Sequence, residues 1–271
     1  MGRLRLALID MYNKVPNEGM RCIKDILGEV KEEVDYQIFD LRGEDQLPDT
    51  SFDIYLSTGG PGNPLEEEGW EQGYFDLLQK LWEHNLTHSR KKYVFFICHS
   101  FQMASRFFGL GQLSQRHSTA FGAMRVHKTE EGKKDPFLSV FGDTFYAIDS
   151  RDHQLLNVTQ EQLNKIGAKI VCMEKIRPHT DYKRAVMAIR FSDEFFGTQF
   201  HPEADAEGLI PYFGVDPQKK GIIEKFGEKK FNKLMKILED PSRLNMAFRP
   251  IIPSFLQYAI QALTKQEEPQ N

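Results

Sequence analysis

Apolar positions along this chain fall into two rhythms that alternate from the start. Leu4–Asp10 reads as a buried strand, Met20, Ile23, Ile26 and Leu27 recur at helical spacing, and Val34–Asp40 returns to a strand pattern. Strand, helix, strand is a βαβ opening. A third short strand, Asp53–Ser57, runs into the turn Thr58-Gly59-Gly60-Pro61-Gly62-Asn63-Pro64. A helix follows from about Trp70 to Asn85, with Tyr74, Leu77, Leu78, Leu81 and Trp82 on one face. Tyr93–Ile97 is too short for a helix and apolar enough to be a strand buried on both faces. The pattern predicts an α/β fold whose first ~110 residues form a doubly wound, mostly parallel sheet flanked by helices, with ligand sites at the carboxyl ends of strands.

The second half is richer in strands. Ala123–Lys128, Phe145–Ile148, Lys169–Met173, Ala185–Phe191 and Phe196–Phe200 alternate or run apolar, separated by polar turns such as Glu130–Asp135 and Ser192–Glu194. Beyond Ala204 the character changes. Gly221–Leu238 reads as one charged amphipathic helix striped by Phe231, Leu234, Met235 and Leu238, Ile251–Leu263 as another, and Thr264–Asn271 as a frayed tail. This divides the chain into an α/β domain over 1–205 and a C-terminal helical extension over 206–271, packed on it.

Charge and cysteine content narrow the function classes. The 271 residues carry 35 Lys+Arg against 39 Asp+Glu, a formal charge of −4, and the basic clusters Arg90–Lys92, Lys133–Lys134 and Lys219–Lys220 are short and scattered. Neither a nucleic-acid nor a membrane footprint is expected. The N-terminus lacks the apolar core of a signal peptide, so a cytoplasmic location is expected. The three cysteines, Cys22, Cys98 and Cys172, are widely spaced and suggest neither a disulfide framework nor a metal site, and no cofactor motif is found. No Gly-rich phosphate loop points to a nucleotide-binding synthase within the chain.

The candidate chemistry gathers at strand ends. Cys98 follows the Tyr93–Ile97 strand directly and precedes a helix-compatible segment that ends at Gly109. A cysteine in that turn has the setting of a nucleophile elbow, where the helix N-terminus favours thiolate; the alternative is a small buried hydrophobe. His201 ends another strand, with Glu203 two residues on. Residues i and i+2 of an extended segment point the same way, so the carboxylate can orient the imidazole as in a Cys-His-Glu triad. Gly60, in its glycine turn, and the backbone N–H of His99 are the natural oxyanion donors.

Three segments together resemble the class I glutamine amidotransferase family. They are Ile97-Cys98-His99-Ser100-Phe101-Gln102, Ser57-Thr58-Gly59-Gly60-Pro61-Gly62 and Gly197-Thr198-Gln199-Phe200-His201-Pro202-Glu203, which resemble that family's patterns and occur in its order. The resemblance implies a flavodoxin-like sheet in which Cys98 attacks the glutamine side-chain amide, His201 protonates the departing ammonia, and water hydrolyses a glutamyl thioester. It implies that Gln102 helps hold the substrate glutamine, and that the Asp149–Gln154 segment, with Ser150 and His153, matches a loop contacting the substrate backbone. A satisfied loop histidine is the plainer reading of His153. Two positions depart from the family: Ser100 and Phe96 stand where glycine is usual. The implied partners are glutamine or a γ-glutamyl compound as substrate and a possible separate synthase subunit. The alternatives are a γ-glutamyl amide hydrolase and a catalytically weak binding or regulatory module on the same fold.

Overall fold

The structure, a computed structural model, describes residues 2–179, 181–240 and 250–265. Its first half follows the two rhythms closely: β1 (Leu4–Asp10), α1 (Gly19–Glu29), β2 (Val34–Asp40), the short α2 (Leu41–Glu44), β3 (Ile54–Ser57), α3 (Glu71–Thr87), β4 (Tyr93–Ile97) and α4 (His99–Phe107). The second half contributes β5 (Gln112–Lys128), α5 (Glu130–Lys134), β6 (Thr144–Leu156), α6 (Gln160–Ile166), β7 (Lys169–Glu174), β8 (Val186–Arg190) and β9 (Phe195–Thr198). The helices α7 (Ala206–Gly214), α8 (Gln218–Phe226), α9 (Glu228–Leu238) and α10 (Ile251–Lys265) follow.

These nine strands join one sheet, in the order β2-β1-β3-β4-β9-β8-β7-β5-β6. From β2 to β9 the pairings are parallel, and from β9 to β6 antiparallel. The central parallel strands are buried on both faces, which is why they run apolar without alternation. On one face Leu6, Leu8, Phe95 and Phe196 pack with Ile23 and Ile26 of α1 and with Ile252, Phe255 and Leu256 of α10. On the other, Ala7, Ile9, Val94 and Phe96 pack with Tyr74, Leu78 and Leu81 of α3 and Phe101 of α4. Phe255 meets Phe95 edge-on at 5.1 Å. Full burial of one such ring stabilises by about 1.5–3 kcal/mol.

Several expectations change on contact with the structure. The strands expected at Ala123–Lys128 and Phe145–Ile148 are the inner ends of the much longer β5 and β6. Their outer arms are polar and partly exposed, held by hairpin pairing that leaves no apolar alternation to read. His153 therefore lies in a strand, not a loop. The expected turn at Glu130–Asp135 holds α5, capped by the Thr129 hydroxyl. The single helix expected over Gly221–Leu238 is two, α8 and α9, broken at Gly227, whose φ of +86° is left-handed backbone. The sequence pattern does not predict α7; Pro211 inside it obscures its periodicity. Of the expected frayed tail, Thr264 and Lys265 are helical, and 266–271 lie outside the described residues.

Candidate active site

The polar chemistry sits where adjacent strands β4 and β9 end side by side, with Ile97 in register with Thr198. The Cys98 N–H donates to Thr198 O at 2.8 Å, after which the chain turns sharply into α4. Cys98 has φ +48° and ψ −95°, a conformation an L-residue adopts at a cost of roughly 1–3 kcal/mol. Such a turn lifts the side chain out of the sheet at the amino end of a helix.

Ser100 explains how the elbow manages without glycine. It is fully buried, its hydroxyl accepts the Ile97 N–H at 2.7 Å, and it lies 2.8 and 3.0 Å from the carbonyls of Ser57 and Ile97. The serine ties the elbow to the end of β3. Phe96 is accommodated from the neighbouring strand. It pairs in register with Gly197, where a Cβ would stand 3.2 Å from Phe96 Cβ and 2.9 Å from Phe101 Cδ2. The room a family glycine would leave on β4 is supplied on β9.

His201 is anchored through its backbone: its N–H donates to Ile148 O of β6 at 2.8 Å. Its Nδ1 lies 2.8 Å from Glu203 Oε1, and the Glu203 side chain is 1% exposed. Burial disfavours the imidazolium, but the neighbouring Glu203 carboxylate and Cys98 sulfur prevail and hold the imidazole pKa well above its ordinary value. Gly59 stands against both side chains. A Cβ there would sit 2.8 Å from His201 Cε1 and 3.5 Å from Cys98 Cβ. The structure thus brings Cys98, His201 and Glu203 together at the mouth of the glycine turn. Gly60 follows in that turn, pressed so close to Met11 O that an added Cβ would lie 2.2 Å from it.

His99 is at the first position of α4, where backbone N–H groups have no partner within the helix. Its ring is turned into a buried niche beside Trp70, 6.0 Å between ring centres, and burial together with the Arg42 charge pushes its pKa down to about 3. The ring is neutral and leaves only the backbone for the site. Gln102 is buried rather than facing solvent, and its Nε2 reaches His153 O at 3.3 Å and Gln199 Oε1 at 3.0 Å. Ser150 presents its carbonyl to Cys98 Sγ at 3.8 Å.

Three further residues belong to the site, none of them singled out by the sequence. Gln199 donates its Nε2 to Cys98 Sγ at 3.6 Å, and its place two residues before His201 is the available signal. The Arg151 side chain is 1% exposed, binds Asp149 through both carboxylate oxygens and reaches Glu174, which also holds Arg116 and Arg177. Burial raises the Glu174 pKa, but its three arginines outweigh that and bring it down to about 2. Arg151 also reaches His153 O, so polar contacts run unbroken from this cluster through His153 and Gln102 to Gln199 and the sulfur. Tyr12, just past the end of β1, is the third: its hydroxyl is buried beside Glu203. Among the described residues no cluster of side chains is suited to a metal ion, and no helix is long and apolar enough to cross a membrane.

A strand-to-helix cysteine and a strand-borne His-Glu pair thus meet at the carboxyl ends of adjacent parallel strands. Residues 8–208 match the family described as glutamine amidotransferase class-I, and the chain belongs to that family. No curated protein matches it. Among solved structures it is similar to a glutamine amidotransferase from Thermotoga maritima, with a TM-score of 0.71 at 16% identity over 96% of this chain and 100% of that one. It is also similar to a glutamine amido transferase from Methylobacillus flagellatus, with a TM-score of 0.63 at 14% identity over 100% and 98% of the two chains. A third is the glutaminase domain of Trypanosoma brucei CTPS with bound acivicin, with a TM-score of 0.58 at 14% identity over 99% and 96%. At these identities the likeness is one of fold.

Proposed function

We propose that this protein hydrolyses the side-chain amide of glutamine, or of a γ-glutamyl compound, through a glutamyl thioester on Cys98. The observation that carries the reading is the His201–Glu203 pair, bonded at 2.8 Å, with its imidazole pKa raised by both the carboxylate and the Cys98 sulfur. Cys98 attacks the amide carbon, and the backbone N–H groups of Gly60 and His99 receive the developing oxyanion; loss of one such donor costs about 3 kcal/mol of barrier. His201 passes its proton to the leaving nitrogen, the C–N bond breaks, and ammonia departs. The imidazole then takes a proton from the water that attacks the thioester, and glutamate leaves. Glu203 holds the imidazole in the useful tautomer. Gln102, Ser150 and His153 line the acyl side and bind the glutamyl backbone.

Residues 1–205 form the catalytic domain and 206–271 an extension packed on it. The protein acts in the cytoplasm. Where the substrate is glutamine, the ammonia passes to a separate synthase subunit. Incubation of the full chain with glutamine tests the reading: glutamate and ammonia form in equal amounts, and both are lost in Cys98→Ala. Glutamine left intact by the isolated chain, with no selective modification of Cys98 by acivicin, contradicts it and favours a binding module. Selectivity is expected because burial pushes the Cys22 thiol up to about 12 and raises that of Cys172 further.

A further inference from the structure

A cavity of about 240 Å³ opens beside the candidate triad. Of the site residues, Tyr12, His201, Glu203 and Ser150 line it, while Cys98, Gly60, His99 and Gln102 do not. Its far wall is apolar, made by Phe121 of β5, Ile148 of β6 and Leu209 and Phe213 of α7. Two buried polar atoms of its lining residues have no hydrogen-bond partner among the described residues: the Tyr12 hydroxyl and Glu203 Oε2. Tyr12 is 8% exposed and Glu203 1%. Burial and the Glu203 charge raise the Tyr12 pKa, so its hydroxyl is a neutral donor. Gly19 gives the Tyr12 ring its place in the lining, since a Cβ there would lie 2.1 Å from the Tyr12 oxygen and 3.2 Å from Glu203 Oε1. Orphaned polar atoms at one end of an apolar hollow mark a place for a ligand with one polar group and an apolar body.

We propose that this cavity receives the leaving-amine side of the substrate, so that the enzyme prefers γ-glutamyl amides whose nitrogen carries a small aromatic or branched apolar group. The inference rests on the thioester reading and specifies its substrate class. The acyl group of any such substrate lies against the oxyanion donors and Gln102. The nitrogen must face His201 to receive its proton, so a substituent on that nitrogen extends to the imidazole's side, which is where the cavity lies. The bonds balance as for glutamine: the Cys98 sulfur forms a bond to the amide carbon, and the C–N bond breaks. The nitrogen takes the His201 proton, and water later returns the enzyme with release of glutamate. The freed amine sits with its nitrogen toward Glu203 Oε2 and the Tyr12 hydroxyl and its apolar body against Leu209 and Phe213. A dry cavity of about 150 Å³ is enough to hold benzene, so this one accepts a benzylamine-sized group. Ammonia alone requires no aromatic wall.

The test compares kcat/KM of the full chain for γ-glutamylbenzylamide and for glutamine, read as glutamate released. The benzylamide is expected to be favoured by about tenfold or more, the scale of discrimination available to an apolar pocket. Leu209→Trp, which fills the hollow, lowers that ratio by a similar factor. Phe213→Ala, which enlarges it, moves the preference toward γ-glutamyl-(naphthylmethyl)amide. Glutamine hydrolysed while the benzylamide is not, or a ratio unmoved by both variants, overturns the inference and leaves the thioester reading standing. Neither substrate hydrolysed overturns both.

Discussion

In the parallel half of the sheet, strands β3, β4 and β9 are buried on both faces and end at the chemistry: the glycine turn after β3, Cys98 after β4 and His201 just beyond β9. In the antiparallel half, β5 and β6 run long and partly exposed, and they supply anchorage and walls, through Ile148 O on the His201 N–H, Ser150 O near the sulfur and the buried Arg151–Asp149–Glu174 cluster. One half presents the proposed reacting groups on rigid ends; the other fixes their surroundings. The difference teaches where substitutions should act. Changes to the reacting groups at the parallel ends should alter rate with little loss of stability, and changes in the antiparallel half should alter stability first or substrate preference.

The largest effect is expected at the nucleophile. Cys98→Ala lowers kcat for glutamate release by about 10³-fold or more while its unfolding midpoint stays near that of the parent, measured by steady-state kinetics and urea titration. Glu203→Gln comes next, with kcat reduced by about 10²- to 10⁴-fold. It also moves the pH profile in a defined direction. The carboxylate raises the His201 pKa, so its neutralisation lowers that pKa, and the alkaline limb, where the imidazolium is lost, shifts to lower pH. A profile that keeps its alkaline limb in place separates the carboxylate from the imidazole's chemistry.

In the antiparallel half, Glu174→Gln leaves Arg151 buried without its full complement of charge. It should cost on the order of 3–5 kcal/mol of unfolding free energy. Glu174 has a depressed folded pKa, so its contribution is complete above the carboxyl's unfolded value and is lost as pH falls toward about 2. Parent and variant should therefore converge in stability as acid is added; a constant gap contradicts the ion-pair account. The smallest effect is at Ser100→Ala, which leaves the buried Ile97 N–H without its hydroxyl and should cost about 1–3 kcal/mol with the elbow geometry retained, read by urea titration.

Legibility in the sequence follows the same division. Strands buried on both faces announce themselves as apolar runs, so β1 and β4 are readable to the residue, and the three motifs at parallel ends point to Cys98, His201 and Glu203. The outer arm of β5 is polar and partly exposed; its strand character comes from pairing of Gln112–Gln115 with β6, which no local pattern records. Arg151 and Glu174 are a spatial pair, apart in sequence. Gln199 lies inside one of the three motifs, yet its contact with the sulfur depends on strand register. Tyr12 opens a polar turn in the sequence; its burial beside Glu203 depends on Gly19 leaving space, a property of the folded chain alone.

The central claim is a covalent one: a glutamyl group carried on one sulfur. Rapid acid quenching of the protein during turnover of a γ-glutamyl amide, followed by mass spectrometry of its peptides, reads it directly. The account predicts a hydroxylamine-labile glutamyl adduct on the peptide containing Cys98 and none on those containing Cys22 or Cys172. Turnover without an adduct at Cys98, or with the adduct on another cysteine, contradicts it.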